Sequence, residues 1–122
     1  DVNRNTPLHK SVGCRQKESV TALLTSGARQ IQNIKGNTPL MLAASYGFTE
    51  LFQPLIDHGS NINEKDPNGF TALKYALNSN QKESIRSLIE KNADIESEDS
   101  NGNTVLHFAA TKGDVETLEL LI

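Results

Sequence analysis

The chain has 122 residues and carries 12 Lys and Arg against 15 Asp and Glu, a net charge of −3. The basic residues are interspersed with acidic ones and form no stripe of the kind that tracks phosphates, which argues against nucleic acid as a target. The single cysteine, Cys14, excludes an internal disulfide and fits a reducing compartment, and no apolar run approaches the ~18 residues that a membrane helix needs.

The first predicted helix opens at Thr6-Pro7-Leu8-His9. The same kind of segment returns as Thr38-Pro39-Leu40-Met41, Thr71-Ala72-Leu73-Lys74 and Thr104-Val105-Leu106-His107, at spacings of 32, 33 and 33 residues. A period near 33 points to stacked small units that share faces, and away from one core around a central pocket. Each threonine is placed to cap a helix, its hydroxyl accepting from backbone N–H groups. Pro7 and Pro39 suit the first helical position, where a missing donor costs nothing.

In chain order, the first unit continues through polar Ser11, Gln16, Lys17, Glu18 and Ser19, suited to a partial end cap. Arg15 holds the register where later units carry Gly47, Asn80 and Gly113, so this inter-helix turn is expected to be the most irregular. A second helix presents Val20, Leu23 and Leu24 and closes at Gly27. The link from Ala28 to Thr38 is one residue shorter than those from Ser60 to Thr71 and Ala93 to Thr104, so its shape should differ.

The second unit places small Ala43 and Ala44 where a short helix must approach its neighbours closely, then breaks at Gly47. Its second helix carries Phe52, Leu55 and Ile56 and closes at Gly59, with Pro54 predicting a kink or a delayed start. The third unit begins with the turn Asp66-Pro67-Asn68-Gly69 and follows with Ala76, Asn80, the apolar set Ile85, Leu88 and Ile89, and Asn92. The fourth repeats the pattern with Ala109, Ala110, Gly113, Leu118, Leu121 and Ile122. It keeps Leu106 and Phe108 and looks uncapped, so the chain is expected to be part of a longer array. Each helix is too short to persist alone, and burying three apolar side chains per unit, at about 1.5–3 kcal/mol each, is what should hold the array together.

The recurrence of Thr-Pro-Leu-His, Ala-Ala, Gly, Leu-Leu and Gly-Ala at fixed offsets over essentially the whole chain resembles the ankyrin repeat. The resemblance implies an all-α solenoid, with inner and outer helix layers joined by projecting β-hairpin-like fingers. One array would cover 1–122, with repeats near 1–32, 33–65, 66–98 and 99–122. Arg4, standing where other units carry Gly36, Gly69 and Gly102, departs from the pattern.

The resemblance further implies a non-catalytic interaction role, with a protein partner docked on the fingers and the exposed side of the inner helices. The matching positions are Lys35, Asn37 and Tyr46; Pro67, Asn68, Phe70, Asn78 and Ser79; and Ser100, Asn101, Asn103, Thr111 and Lys112. Tyr46 and Phe70 stand out as aromatics where the architecture needs no apolar group. Two readings stand for them: a binding hot spot, or Phe70 folded over its own finger and Tyr46 packed on a neighbouring helix. Asn63, in Gly59-Ser60-Asn61-Ile62-Asn63 with Leu55 eight residues before it, resembles the finger asparagine hydroxylated in some ankyrin proteins, although Asn61 stands where an acidic residue is usual.

His9 and His107 share one repeat register about three units apart, so a shared metal is excluded on this fold, and each is expected to bond locally at its helix start. His58 reads as solvated, and Asp57/Glu64 and Glu96/Glu98 as surface carboxylates. Cys14 has no visible activating partner. Gly36-Asn37, Gly69-Phe70 and Gly102-Asn103 are repeat-related turns, and no catalytic triad or phosphate-cradling loop is present.

The expectation is a protein-binding module without catalytic residues, cofactor, metal or small-molecule substrate. It is expected inside the cell, in cytoplasm or nucleus. A net charge of −3 slightly favours a neutral-to-basic partner. Alternatives are a substrate-docking or regulatory region of a larger enzyme, channel or pathogen effector, and an elastic spacer in a membrane-skeleton protein.

Overall fold

A computed structural model describes residues 4–28, 30, 32–33 and 35–122. It contains four pairs of short helices: α1 (Pro7–Gly13) with α2 (Lys17–Thr25), α3 (Pro39–Tyr46) with α4 (Phe52–Asp57), α5 (Ala72–Asn78) with α6 (Lys82–Glu90), and α7 (Val105–Lys112) with α8 (Val115–Leu121). There is no β-strand among the described residues. The inner helices α1, α3, α5 and α7 pack on one another in sequence, and α2, α4, α6 and α8 lie behind them.

All four capping threonines act as the sequence requires, Thr6, Thr38, Thr71 and Thr104 each accepting from the N–H three residues on. Three starts add a return bond from the helix's third residue. His9 Nδ1 accepts from Thr6 N–H at 3.2 Å, His107 Nδ1 from Thr104 N–H at 3.1 Å, and Met41 Sδ from Thr38 N–H at 3.4 Å. Lysine has no lone pair to offer, so Lys74 leaves the Thr71 start without this bond.

The core runs through the whole stack. Leu8, Val12, Leu40, Leu73 and Ala76 from the inner layer meet Val20, Phe52, Leu55, Ile85 and Leu88 from the outer layer, all essentially inaccessible to solvent. Alanines at 43, 44, 76 and 109 are buried, as close inner-helix spacing demands. In the last pair Leu121 is buried, Phe108 and Leu118 are half-buried, and Leu106, Val115 and Ile122 are exposed.

Three expectations meet specific outcomes. Pro54 does delay its helix: a single 3-10 turn over Thr49–Leu51 precedes α4, and Pro54 becomes its third residue, where no intrahelical donor is required. The turn at Arg15 is not irregular. Arg15 adopts φ 56°, as Asn80 adopts 57°, and the same two backbone bonds follow, Arg15 N–H to Val12 and Gln16 N–H to Ser11, matching Asn80 to Leu77 and Gln81 to Ala76. The left-handed backbone costs a non-glycine residue about 1–2 kcal/mol. Arg15 offsets part of it through a double hydrogen bond to Glu50 in the next unit, at 2.7 and 3.1 Å, and by lying 4.9 Å from the Phe48 ring. Arg4, at φ 54°, likewise takes the conformation of the glycines in its register.

The tip of the short first finger also matches its successors. Asn33 accepts from Asn37 and Lys35 as Asp66 accepts from Phe70 and Asn68, and as Asp99 accepts from Asn103 and Asn101. The missing residue therefore lies between Ala28 and Asn33. Arg29, Ile31 and, within the tip itself, Ile34 fall outside the described residues.

Candidate interaction surface

The fingers stack edge to edge and rigidify the surface they present. Ser100 donates from its backbone N–H and its hydroxyl to the Asn68 carbonyl, at 3.0 and 2.7 Å. Lys65 Nζ reaches the Glu98 carbonyl at 2.8 Å, and Gln32 Nε2 the Lys65 carbonyl at 3.0 Å. Gly69, at φ 82°, lies so near the next finger that a Cβ there would sit 2.8 Å from Asp99 Cα and Ser100 N. Pro67 closes in the same way on Gly36.

His9 joins finger to inner helix. Its ring is buried, Nδ1 lies 2.8 Å from Thr6 Oγ1, and Nε2 lies 2.8 Å from the Asn37 carbonyl. The carbonyl requires a proton on Nε2, and Thr6 N–H requires a lone pair on Nδ1, so the imidazole is the neutral Nε2–H tautomer. Burial lowers its pKa from the ordinary 6.5, against the opposing pull of the Asn37 carbonyl. His107 makes the same local contact with Thr104, so each histidine is tied to its own helix start. Among the described residues no group of three His, Cys, Asp or Glu side chains converges as a metal site would require.

The proposed partner positions separate into two grooves and a set already engaged. Lys35, Asn37 and Tyr46 line a groove of about 390 Å³ between the first two units, with Lys10, Cys14 and Leu42. Asn68, Phe70 and Asn78 line a second of about 330 Å³, with Lys74, Tyr75 and Phe108. Asn103 sits with Phe70 at a small depression between the last two fingers. Pro67, Asn68 and Ser100 take part in finger stacking. Ser79 Oγ lies 3.0 Å from Ser45 Oγ, Thr111 bonds back to the His107 carbonyl, and Lys112 Nζ donates to the Leu77 carbonyl and Asn80 Oδ1. Asn101 is exposed at the tip of the last finger.

The two aromatics differ. Tyr46 is 51% exposed, its ring 5.5 Å from Phe48 of its own unit. Phe70 is half-buried, edge-on to Tyr75 with centroids 6.4 Å apart. Tyr75 in turn donates to Asp66 and lies 2.9 Å from Asn37 Oδ1, tying two fingers to one inner helix. Asn63 is exposed and its side-chain oxygen accepts from Asp94 N–H at 2.8 Å.

The sequence reading missed Lys74. Its amine lies 3.4 Å from the Phe108 ring centroid and 4.2 Å from that of Phe70, and the side chain is buried. Burial lowers its pKa, Lys112 adds to the depression, and Asp99 and Asp66 oppose it. The available signal was lysine in a register held elsewhere by His9, Met41 and His107.

The family description "Ankyrin repeats (3 copies)" matches residues 17–99 and 61–122. The chain belongs to the ankyrin-repeat family. Ankyrin repeats are generally non-catalytic and generally mediate protein–protein interaction. Among curated relatives, fission yeast (Schizosaccharomyces pombe) glycerophosphocholine phosphodiesterase gde1 is 35% identical over 79 residues, 63% of this chain and 7% of that protein. Alpha-latrotoxin-Lt1a of Latrodectus tredecimguttatus is 38% identical over 85 residues, 67% of the chain and 6% of the toxin. Mouse (Mus musculus) Rabankyrin-5 is 42% identical over 57 residues, 47% of the chain and 5% of that protein. The ankyrin chain thus spans a small fraction of each of these relatives. No helix among its described residues is long and apolar enough to cross a membrane.

Proposed function

We propose that this ankyrin array binds a protein partner on its concave face, through the finger tips and the exposed side of the inner helices, and performs no chemistry of its own. The observation that carries the reading is Tyr46: a tyrosine half open to solvent, on the inner layer, beside a groove formed by a finger and two inner helices. An aromatic held open in this way gains most when a partner desolvates it. The zipped fingers keep that surface preformed, which limits the ordering cost of association. The unpaired Cys14 agrees with a reducing, intracellular setting.

Recovery of binding proteins from cell extract on immobilised wild-type chain, Tyr46→Ala and the outer-face variant Arg86→Glu tests the reading. The expected result is a protein retained by wild type and Arg86→Glu and lost by Tyr46→Ala, with both variants melting like the wild type. Loss with Arg86→Glu and retention with Tyr46→Ala would overturn it.

A second reading, that the array is a substrate-docking or regulatory region of a larger enzyme, is favoured by the small share of the relatives that it matches and by the phosphodiesterase among them. Asn63 is retained as a hydroxylation candidate on its exposure near the finger base. Intact-mass measurement of the native protein should show one added oxygen, and its absence would end that candidacy.

A further inference from the structure

The Tyr75 hydroxyl on α5 stands between two fingers and faces two oxygens, Asp66 Oδ2 and, at 2.9 Å, Asn37 Oδ1. A phenol has one proton to give. Asp66 is the stronger acceptor of the two: its Oδ2 lies closer than the carboxamide does, and an ionised acceptor makes the stronger bond. Burial first, then the bond to Asp66 and its charge, raises the Tyr75 pKa well above the ordinary 10, so the hydroxyl keeps its proton and points it at Asp66. Asp66 Oδ1 accepts from the N–H groups of Asn68 and Phe70, which fix the carboxylate in place.

Two oxygens with no proton between them repel. A carbonyl oxygen of Asn37 is therefore unfavourable at 2.9 Å from a hydroxyl whose proton goes to Asp66. A half-turn about the last side-chain bond exchanges the carboxamide's nitrogen and oxygen in nearly the same positions and supplies the missing donor. The backbone of Asn37 is indifferent to that exchange: its carbonyl still meets His9 Nε2 and its N–H still donates to Asn33 Oδ1.

We infer that Asn37 turns its Nδ2 to Tyr75 and its Oδ1 to the groove between the first two units, where it accepts a hydrogen bond from a main-chain N–H of the bound protein segment. Asn37 lines that groove with Lys35, Leu42 and the exposed Tyr46. Lys35 disfavours a cationic donor beside it, which leaves a neutral N–H. An extended segment offers such a group and, from the same stretch of chain, an apolar side chain to lie on Leu42 and Tyr46. The inference rests on the concave-face reading above and deepens it. Tyr46 supplies apolar area, and Asn37 sets the register of the segment by naming the polar atom it must present. Tyr75 and Asp66, in the lining of the neighbouring groove, act as positioning residues for Asn37.

Two measurements test this. In the free chain, nuclear magnetic resonance should show close contacts between the Asn37 Nδ2 protons and the Tyr75 ring protons beside the hydroxyl. Nδ2 protons remote from that ring would overturn the orientation. For binding, a displayed random-peptide library is selected on the immobilised chain, and an enriched peptide is remade with each main-chain N–H replaced in turn by an ester oxygen. Affinities are measured for wild type, Asn37→Ala and Tyr46→Ala, each checked by thermal melting. One ester position should weaken binding to wild type about three- to tenfold and make no further difference to Asn37→Ala. Peptides lost with Tyr46→Ala but without any ester position coupled to Asn37 would overturn the inference and leave concave docking standing. Peptides indifferent to Tyr46→Ala, or no enrichment at all, would count against both.

Discussion

His9 shows how one side chain links helix start, finger and neighbouring unit. Removing it as His9→Ala deletes the return bond to Thr6 and the bond to Asn37 and leaves a void, and should cost about 2–4 kcal/mol in chemical denaturation. Its protonation has a definite sign. The folded pKa lies below the ordinary 6.5, so above that pH the ring is neutral in both states and its full contribution is present. As pH falls below 6.5 the unfolded chain takes up a proton that the fold resists, and stability declines towards the folded pKa. The wild-type melting temperature should drop between neutral pH and about pH 5, and His9→Ala should flatten part of that slope. An identical slope in the variant would show that His9 is not the titrating group. Lys74 is the opposite case, a charge desolvated between two rings. Met41 fills the same register with a sulfur that accepts from its threonine, so Lys74→Met should stabilise the fold by up to about 1 kcal/mol. A clear loss of stability would mean that the contacts with Phe70 and Phe108 outweigh burial of the amine.

Among the elements, the helix pairs and their caps were legible from the chain alone, because four threonines, two prolines and the alanine pairs repeat in fixed register. The delay at Pro54 was also legible, since proline's missing N–H acts locally. The shape of the first turn was not. Arg15 looked irregular by residue type, but its neighbours impose the repeat's backbone and Glu50 gives the side chain a partner in the next unit. Finger stacking was equally hidden, since it depends on contacts between residues about 32 apart, such as Asn68 and Ser100. Two glycines separate the local cause from the stacked one. Gly113→Ala, at φ 70° with no atom within 4 Å of the new Cβ, should cost about 1 kcal/mol. Gly69→Ala meets backbone of the next finger as well and should cost about 2–4 kcal/mol in thermal or urea unfolding. Equal losses would remove the finger stack as a source of rigidity.

At the level of the whole molecule, repetition sets function by what it leaves uncovered. The stack buries most of its leucines, isoleucines and alanines between units, and among the described residues of the inner helices Tyr46, at 51% exposure, is the more open of two exposed large apolar side chains, the other being Leu106 of the last unit. The candidate surface was only partly readable in the sequence. Register placed Lys35, Asn37 and Tyr46 together, but it also nominated Ser79, Ser100 and Lys112, whose polar atoms serve neighbouring units. Register alone cannot distinguish an open side chain from an engaged one. Tyr46→Ala should leave the melting temperature unchanged and weaken partner binding at least about tenfold, whereas Phe70→Ala, which removes the rings' contact with Tyr75 and Lys74, should lower the melting temperature by several degrees. The most direct measurement is a residue-by-residue map of backbone amide shifts in nuclear magnetic resonance as a bound partner is added. Docking on the concave face should concentrate the changes at Lys35–Asn37, Tyr46 and Asn68–Phe70, whereas changes confined to Lys17–Thr25 and Lys82–Glu90 on the outer layer would contradict it.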